Sequence, residues 1–143
     1  MPTIAVDTSV VIPALVSWHV RHAPAASAIE RLLRRNSLLL PLPVVVEAYS
    51  VLTRMPAPHR LSPPVAHELL ARTFQSARLS PFRPRNVWSF LQVLAEHEIA
   101  GGAAYDAAVL EAARAGGATT LLTYNRADFE RLDLQSIEIV EPV

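Results

Sequence analysis

Three acidic side chains, Asp7, Glu47 and Asp106, stand beside apolar residues that are typical of a protein core. Asp7 directly follows the apolar run Thr3–Val6, and helical spacing puts Asp106 on the same face as Leu110. An unpaired ionised carboxylate in such surroundings costs several kcal/mol, so it needs a partner such as a metal ion, an arginine or a helix N-terminus. Carboxylates gathered without basic partners repel one another, and proteins usually accept that cost to hold a hard divalent cation. The three acids therefore favour a metal site.

Each of these acids also has an ordinary structural explanation. The pattern places Asp106 in the first turn of its helix, where a negative charge complements the helix dipole. Asp7 precedes Thr8 and Ser9, which is compatible with a turn or a helix cap. For any single residue the structural explanation is the more frequent one. The three positions together favour a shared site.

A fourth polar position lies near the end of the chain, where Asn125 follows the apolar run Ala118–Tyr124 and Asp128 comes three residues later. The two side chains have the spacing of a helix cap and its reciprocal partner, which needs no metal. Alternatively, the Asn125 amide oxygen binds a cation or orients its water, and Asp128 holds a second, weaker ion. We expect both residues to contribute to the site, and to contribute less than the other three acids.

Short apolar runs alternate with amphipathic segments along the chain, which predicts a parallel sheet with helices on both faces. In such a sheet a ligand binds beyond the carboxyl ends of the strands, where Asp7 and Asn125 are expected. The predicted strands are Thr3–Val6, Ser37–Pro41, Ala118–Tyr124 and Ile137–Val140, with a short edge strand within Arg78–Pro84. The predicted helices are Ala25–Arg35, Val44–Met55, Pro63–Ala77, Val87–Glu98 and Ala103–Ala115, and a short one begins near Asn125.

The composition limits the classes of protein that are compatible with the chain. Its 143 residues, of which 51% are hydrophobic, predict one domain over residues 1–143. The 13 acidic and 13 basic residues cancel, so no basic surface field indicates a nucleic-acid binder. Lysine and cysteine are absent, which excludes Schiff-base, thiolate and zinc-finger chemistry. No apolar run is long enough for a membrane span, and we expect a soluble, cytoplasmic protein.

Four motifs, in this order and spacing, resemble those of the PIN-domain family, and more narrowly those of the VapC-type toxin ribonucleases. The resemblance covers essentially the whole chain, and the ordered set is far more specific than any one motif. The motifs are Val6-Asp7-Thr8-Ser9, Pro43-Val44-Val45-Val46-Glu47, Tyr105-Asp106-Ala107 and the segment from Leu122 to Phe129.

The resemblance implies an α/β, Rossmann-like domain with a parallel sheet of about four to five strands. It also implies a Mg²⁺- or Mn²⁺-dependent endoribonuclease that forms a homodimer and is neutralised by a cognate antitoxin. Asp7, Glu47 and Asp106 match the three most regular acids of the family. The chain departs from the family at Asn125, where an aspartate is frequent. We therefore expect Asp7, Glu47, Asp106 and Asp128 to be catalytic and, together with Asn125, to hold the metal.

Accessory roles fall to Thr8, Ser9, Thr123 and Arg126, which we expect to contact substrate weakly. The hydroxyls can orient a carboxylate or bind a phosphate, and the arginine can bind a phosphate. Turn hydroxyls and a surface arginine are the ordinary alternatives. The five histidines lack the pattern of a Ser-His-Asp site, so we expect none of them to be catalytic.

Two other functions remain open from the sequence. The first is a protein-binding module on the same fold whose acids never hold metal, which the zero net charge favours slightly. The second is a metal-dependent phosphatase, although Asp7 lacks a second aspartate two residues further on. Metal-dependent cleavage of RNA separates the nuclease from both.

Overall fold

The computed structural model describes residues 2–132 and 137–143 and contains a wholly parallel five-stranded sheet. Its strands are β1 (Thr3–Val6), β2 (Leu38–Pro41), β3 (Arg78–Ser80), β4 (Ala118–Leu122) and β5 (Glu138–Val140). They lie in the order β3-β2-β1-β4-β5. The predicted α/β fold with a parallel sheet of four to five strands is therefore confirmed.

Seven helices connect or follow the strands within the described ranges. They are α1 (Thr8–Leu15), α2 (His22–Arg34), α3 (Leu42–Arg54), α4 (Pro63–Phe74), α5 (Val87–Glu96), α6 (Gly102–Ala115) and α7 (Arg126–Glu130). None of them is both long enough and apolar enough to cross a membrane. The predicted helices agree with α2 to α7 to within a few residues at their ends.

Helix α1 is the element that the sequence analysis did not predict. It contains the β-branched residues Val10, Val11 and Ile12 and an internal proline, Pro13, all of which disfavour a helix interior. Burial outweighs these local preferences, because all four residues lie in the core. Asp7 caps the helix and so stands at its N-terminus.

Helices cover both faces of the sheet. All four residues of β2 are buried, and neighbouring strand residues point to opposite faces, so neither face of this strand meets solvent. Ala5 and Val6 of the central strand β1 are completely buried as well. Strand β3 is different, because Arg78 and Leu79 are exposed, which confirms the predicted short edge strand.

The order of the strands reverses at β1. The chain continues from β1 to β2 and β3 on one side, and later adds β4 and β5 on the other side. The backbone N–H of Asp7 donates to the carbonyl of Leu122 over 3.0 Å, so β1 and β4 end at the same level. A crevice at such a reversal is the usual ligand site of an open parallel sheet.

The C-terminal end of α6 is anchored to the sheet by close packing. A Cβ atom on Gly116 would lie 2.5 Å from Leu39 Cδ2 and 2.8 Å from Ser80 Oγ, so no larger residue fits there without displacing its neighbours. The Ser80 hydroxyl donates to the carbonyl of Ala112 over 2.6 Å. These contacts fix the axis of the helix that carries Asp106.

Candidate metal centre

Asp7 is the most buried acid of the site, with 4% of its surface exposed. Its Oδ2 atom accepts hydrogen bonds from the Ser9 hydroxyl and the Thr123 hydroxyl, both at 2.9 Å, and a longer one from the Ser9 backbone at 3.4 Å. Among the described residues, all hydrogen bonds to this carboxylate end on Oδ2. The protein therefore orients one oxygen and leaves Oδ1 for a ligand.

The two hydroxyls that hold Asp7 are themselves held by the backbone after β4. Thr123 Oγ1 accepts from the N–H of Asn125, and Ser9 Oγ accepts from the N–H of Tyr124, each over 2.9 Å. Each hydroxyl thus accepts from a backbone N–H and donates to the carboxylate, and the two hydrogen bonds in such a chain strengthen each other. Thr123 is completely buried, so its hydroxyl faces Asp7 and not solvent.

A cleft of about 310 Å³ opens over this network and brings most of the expected site residues together. Asp7, Thr8 and Ser9 enter it from the N-terminus of α1, Glu47 from α3 and Asp106 from α6. Asn125, which follows β4, completes this set. The sequence had suggested that Asp106 lies in the first turn of its helix. This is wrong, because α6 begins at Gly102 and Asp106 therefore lies in the second turn. The helix dipole is therefore not its main partner.

The carboxylates in the cleft resist ionisation. Burial, and after it the charges of Asp7, Glu47 and Asp128, together raise the pKa of Asp106 to about 6, whereas Arg131 opposes the rise. Glu47 is exposed as a whole residue, yet partial burial of its carboxylate raises its pKa, and the charge of Asp7 adds to the rise. The acids are thus close enough to repel one another.

The side chains in the cleft are of the types that bind a hard divalent cation, but they are not close enough to one another to surround one. They are carboxylate and amide oxygens, which Mg²⁺ and Mn²⁺ prefer. Within residues 2–132 and 137–143, no group of three acidic, histidine or cysteine side chains is close enough to hold a metal ion.

Asn125 and Asp128 have different surroundings in the structure. Asn125 lines the cleft, and its side chain makes no capping hydrogen bond to α7. Asp128 is exposed in the first turn of α7, where its carboxylate pairs with Arg131 over 3.3 Å. The reciprocal cap that the spacing suggested is therefore wrong for this pair. Arg126 is also exposed and pairs with Glu130, away from the residues that line the cleft.

Two polar residues of the cleft were not expected there from the sequence. His19 and Arg21, on the loop between α1 and α2, line the same cleft as Asp7. The Arg21 guanidinium lies 4.3 Å from the centre of the Tyr124 ring, in a cation–π contact. Neither residue belongs to a periodic pattern or a motif, so only the tertiary structure shows that they face the acids.

A wider groove of about 520 Å³ adjoins the cleft and shares Glu47 and Asp106 with it. We call it the α3–α6 groove. Val46 and Tyr105 stand on its walls and are 69% and 75% exposed, respectively. Its other lining residues are Pro43, Ser50, Arg54, Gly102 and Val109. The groove therefore offers an apolar surface next to the acids.

The family model of the PIN domain matches residues 4–134 of the chain. The chain is 39% identical over 139 residues to a protein of Mycobacterium tuberculosis named Ribonuclease VapC40. That alignment covers 96% of this chain and 98% of the relative.

Solved structures of low sequence identity share the fold. The structure of VapBC2 from Rickettsia felis, bound to a DNA fragment from their promoter, matches with a TM-score of 0.70 at 16% identity and covers 97% of this chain and 98% of that one. The structure of VapC20 from Mycobacterium tuberculosis, described as a toxin that cleaves the sarcin-ricin loop, matches with a TM-score of 0.66 at 18% identity. It covers 90% of this chain and 94% of that one.

Proposed function

The chain belongs to the PIN domain family, and from this membership we propose that it is a metal-dependent endoribonuclease and the toxin of a toxin–antitoxin pair. The observation that carries the proposal is that Asp7, Glu47 and Asp106 line one cleft at the strand reversal. The name of the relative VapC40 agrees with a ribonuclease. We also propose that the protein acts on RNA in the cytoplasm.

Asp7, Glu47 and Asp106 would hold Mg²⁺ or Mn²⁺, with weaker contributions from Asn125 and Asp128. The bound ion would lower the pKa of a water molecule and neutralise charge on the phosphodiester. Ser9 and Thr123 keep the Asp7 carboxylate in one orientation. We propose that these two hydroxyls position Asp7. The Thr8 hydroxyl is buried beside the cleft, so the expected substrate contact of Thr8 is wrong.

The repulsion among the carboxylates supports a metal site over an inert binding module. A module that never holds metal gains nothing from acids that raise one another's pKa, as Asp7 and Glu47 do for Asp106. Purified protein should cleave some members of a panel of structured RNAs in Mg²⁺ or Mn²⁺ and none in EDTA. Cleavage that persists in EDTA, or no cleavage with either metal, contradicts the proposal.

We propose further that an antitoxin covers the α3–α6 groove. Exposed Val46 and Tyr105 offer apolar contacts, and the groove reaches Glu47 and Asp106, so an amphipathic segment there also blocks the site. Co-expression with the product of the adjacent upstream gene should give a complex that does not cleave RNA. Tyr105→Asp should weaken the complex, whereas Tyr49→Asp on the same helix as Val46 but outside the groove serves as the control.

We also propose that the chain forms a homodimer through the outer face of α5. Val87, Trp88 and Leu91 on this helix are exposed, and Trp88 is 75% exposed. Such an apolar surface is typical of an interface. Light scattering should give the mass of a dimer, and Leu91→Glu should give that of a monomer. A monomeric wild-type protein at micromolar concentration contradicts this assignment.

A further inference from the structure

The loop between α1 and α2, residues 16–21, displays an aromatic side chain that the proposed mechanism does not use. Trp18 is 55% exposed, and the centre of its ring lies 4.2 Å from that of His59. His59 belongs to the loop between α3 and α4, so the two rings link separate loops. Trp18 thus keeps a large aromatic surface in contact with solvent while His59 packs against its ring.

The same loop contributes directly to the catalytic cleft. His19 and Arg21 line the cleft with Asp7, and the Trp18 ring lies 6.1 Å from the His19 ring. The Arg21 backbone N–H donates to His19 Nδ1 over 3.0 Å, so Nδ1 is an acceptor and Nε2 carries the proton of the neutral ring. The loop therefore connects the exposed ring, a hydrogen-bond donor and a cation to the edge of the site.

Arg21 is the cation in this cleft that is suited to a phosphate. Its guanidinium contacts the Tyr124 ring and, as far as the described ranges show, forms no ion pair. An RNA strand needs such a charge, because the other charged cleft residues are Asp7, Glu47 and Asp106, which repel its backbone. Arginine binds phosphate oxygens through two parallel hydrogen bonds.

We propose that Trp18 and Arg21, on the loop of residues 16–21, bind a nucleotide next to the scissile phosphate, with its base stacked on Trp18 and a phosphate on Arg21. The inference rests on the proposed ribonuclease function and adds two residues that bind the substrate. Stacking on a side chain requires an unpaired base, so the substrate is single-stranded RNA or the loop of a structured RNA. His59 positions the Trp18 ring.

The two tryptophans of the chain allow a direct binding test. Trp88→Phe leaves Trp18 as the single tryptophan, and Trp18→Phe leaves Trp88, which lies on α5. Both variants are titrated in EDTA with short single-stranded RNA of mixed sequence. Stacked bases quench tryptophan, so the emission of the first variant should fall and that of the second should not. A duplex of the same length should quench neither variant.

Cleavage kinetics give a second readout. Trp18→Ala should lower kcat/KM about tenfold, mainly through KM, because stacking of one base supplies that range of affinity. Trp18→Phe should retain most of the activity, since it keeps a ring. Val20→Ala, a highly exposed residue of the same loop, is the control for disturbance of the loop and should behave like wild type. The kcat/KM of His59→Ala should lie between that of Trp18→Ala and that of wild type.

The outcomes separate this inference from the proposed function. Absence of Trp18 quenching in a protein that cleaves RNA, or equal kcat/KM for Trp18→Ala and wild type, overturns the stacking role. Quenching without cleavage in either metal supports the stacking role and contradicts the nuclease. Quenching by the co-purified antitoxin and not by RNA assigns the ring to the protein partner and overturns the inference.

Discussion

The Thr123 hydroxyl donates a 2.9 Å hydrogen bond to Asp7 Oδ2, although 116 positions separate the two residues in the chain. The bond connects the end of β4 to the end of β1. Because both residues are buried, the bond is protected from water, and it restricts the carboxylate to one orientation. A positioned ligand of this kind loses less freedom when a metal ion binds.

Replacement of Thr123 by valine should therefore weaken metal binding while the shape of the side chain is kept. We expect about 10- to 100-fold lower apparent affinity for Mg²⁺, the usual effect of losing a partner of a metal ligand. Cleavage measured over a range of Mg²⁺ concentrations tests this expectation. Thr123→Ser keeps the hydroxyl and should titrate like wild type. Identical titrations for the valine variant and wild type contradict a positioning role.

Asp7→Asn and Asp106→Asn should each abolish cleavage and relieve any growth arrest on expression. Both changes keep the shape of the side chain and remove a charge that would bind the proposed metal ion. Glu68→Gln is a matched control, because Glu68 is an exposed acid on α4 that pairs with Arg72. Activity in either aspartate variant comparable to that of Glu68→Gln is the result that would refute the assigned ligands.

Asp106→Asn should raise the thermal stability of the protein in EDTA at neutral pH. Folding raises the pKa of Asp106 from 3.8 to about 6, so the folded state holds its proton more tightly than the unfolded state does. The resulting stabilisation is complete below about pH 4 and is lost as pH rises through about 6. Asparagine does not titrate, and its advantage at pH 7.5 should be on the order of 1 kcal/mol after solvent screening of this half-buried group.

The melting temperature as a function of pH tests this linkage. The gap between the variant and wild type should close between pH 6 and pH 4. Millimolar Mg²⁺ should stabilise wild type by mass action, and it should stabilise Asp106→Asn much less. Melting temperatures that differ by the same amount at both ends of the pH range exclude a titration of Asp106 as the cause.

Asp128→Asn separates the two interpretations of the fourth acid. The charge of Asp128 reaches Asp106, yet Asp128 does not line the cleft. We expect a loss of about 10- to 100-fold in the metal-dependent rate, as for a residue that acts through a ligand. The melting temperature should hardly change, because the Asp128 pair with Arg131 is exposed. An unchanged rate with a lower melting temperature shows that the residue only stabilises α7.

The sequence indicated that Asp7 and Asn125 lie at one edge of the sheet, where both line the cleft, but it missed one of the helices around them. Asp7 and Asn125 were expected at the carboxyl ends of parallel strands, and strand order alone brings such positions together. Helix α1 was missed because Val10, Val11 and Pro13 disfavour a helix locally and become helical only through burial. Local preference cannot reveal a burial that arises from residues far away in the chain.

The sequence did not predict what the loop residues contribute to the cleft, for a related reason. Arg21 follows no repeat, and its place over Tyr124 depends on how the loop after α1 meets the end of β4. The role of Thr123 was assigned to substrate from its position after a strand. Its complete burial, which only the packed structure reveals, points to Asp7 instead.

The late position of β4 in the chain has a consequence for a nascent polypeptide. Strand β1 is made first, but its neighbour β4 begins at residue 118, and Thr123 comes after it. A ribosome-bound chain that has not yet released this segment lacks the hydroxyl that orients Asp7 and one flank of the crevice. The proposed site is therefore assembled only after residue 123 has emerged, later than α3, which carries part of the proposed antitoxin surface.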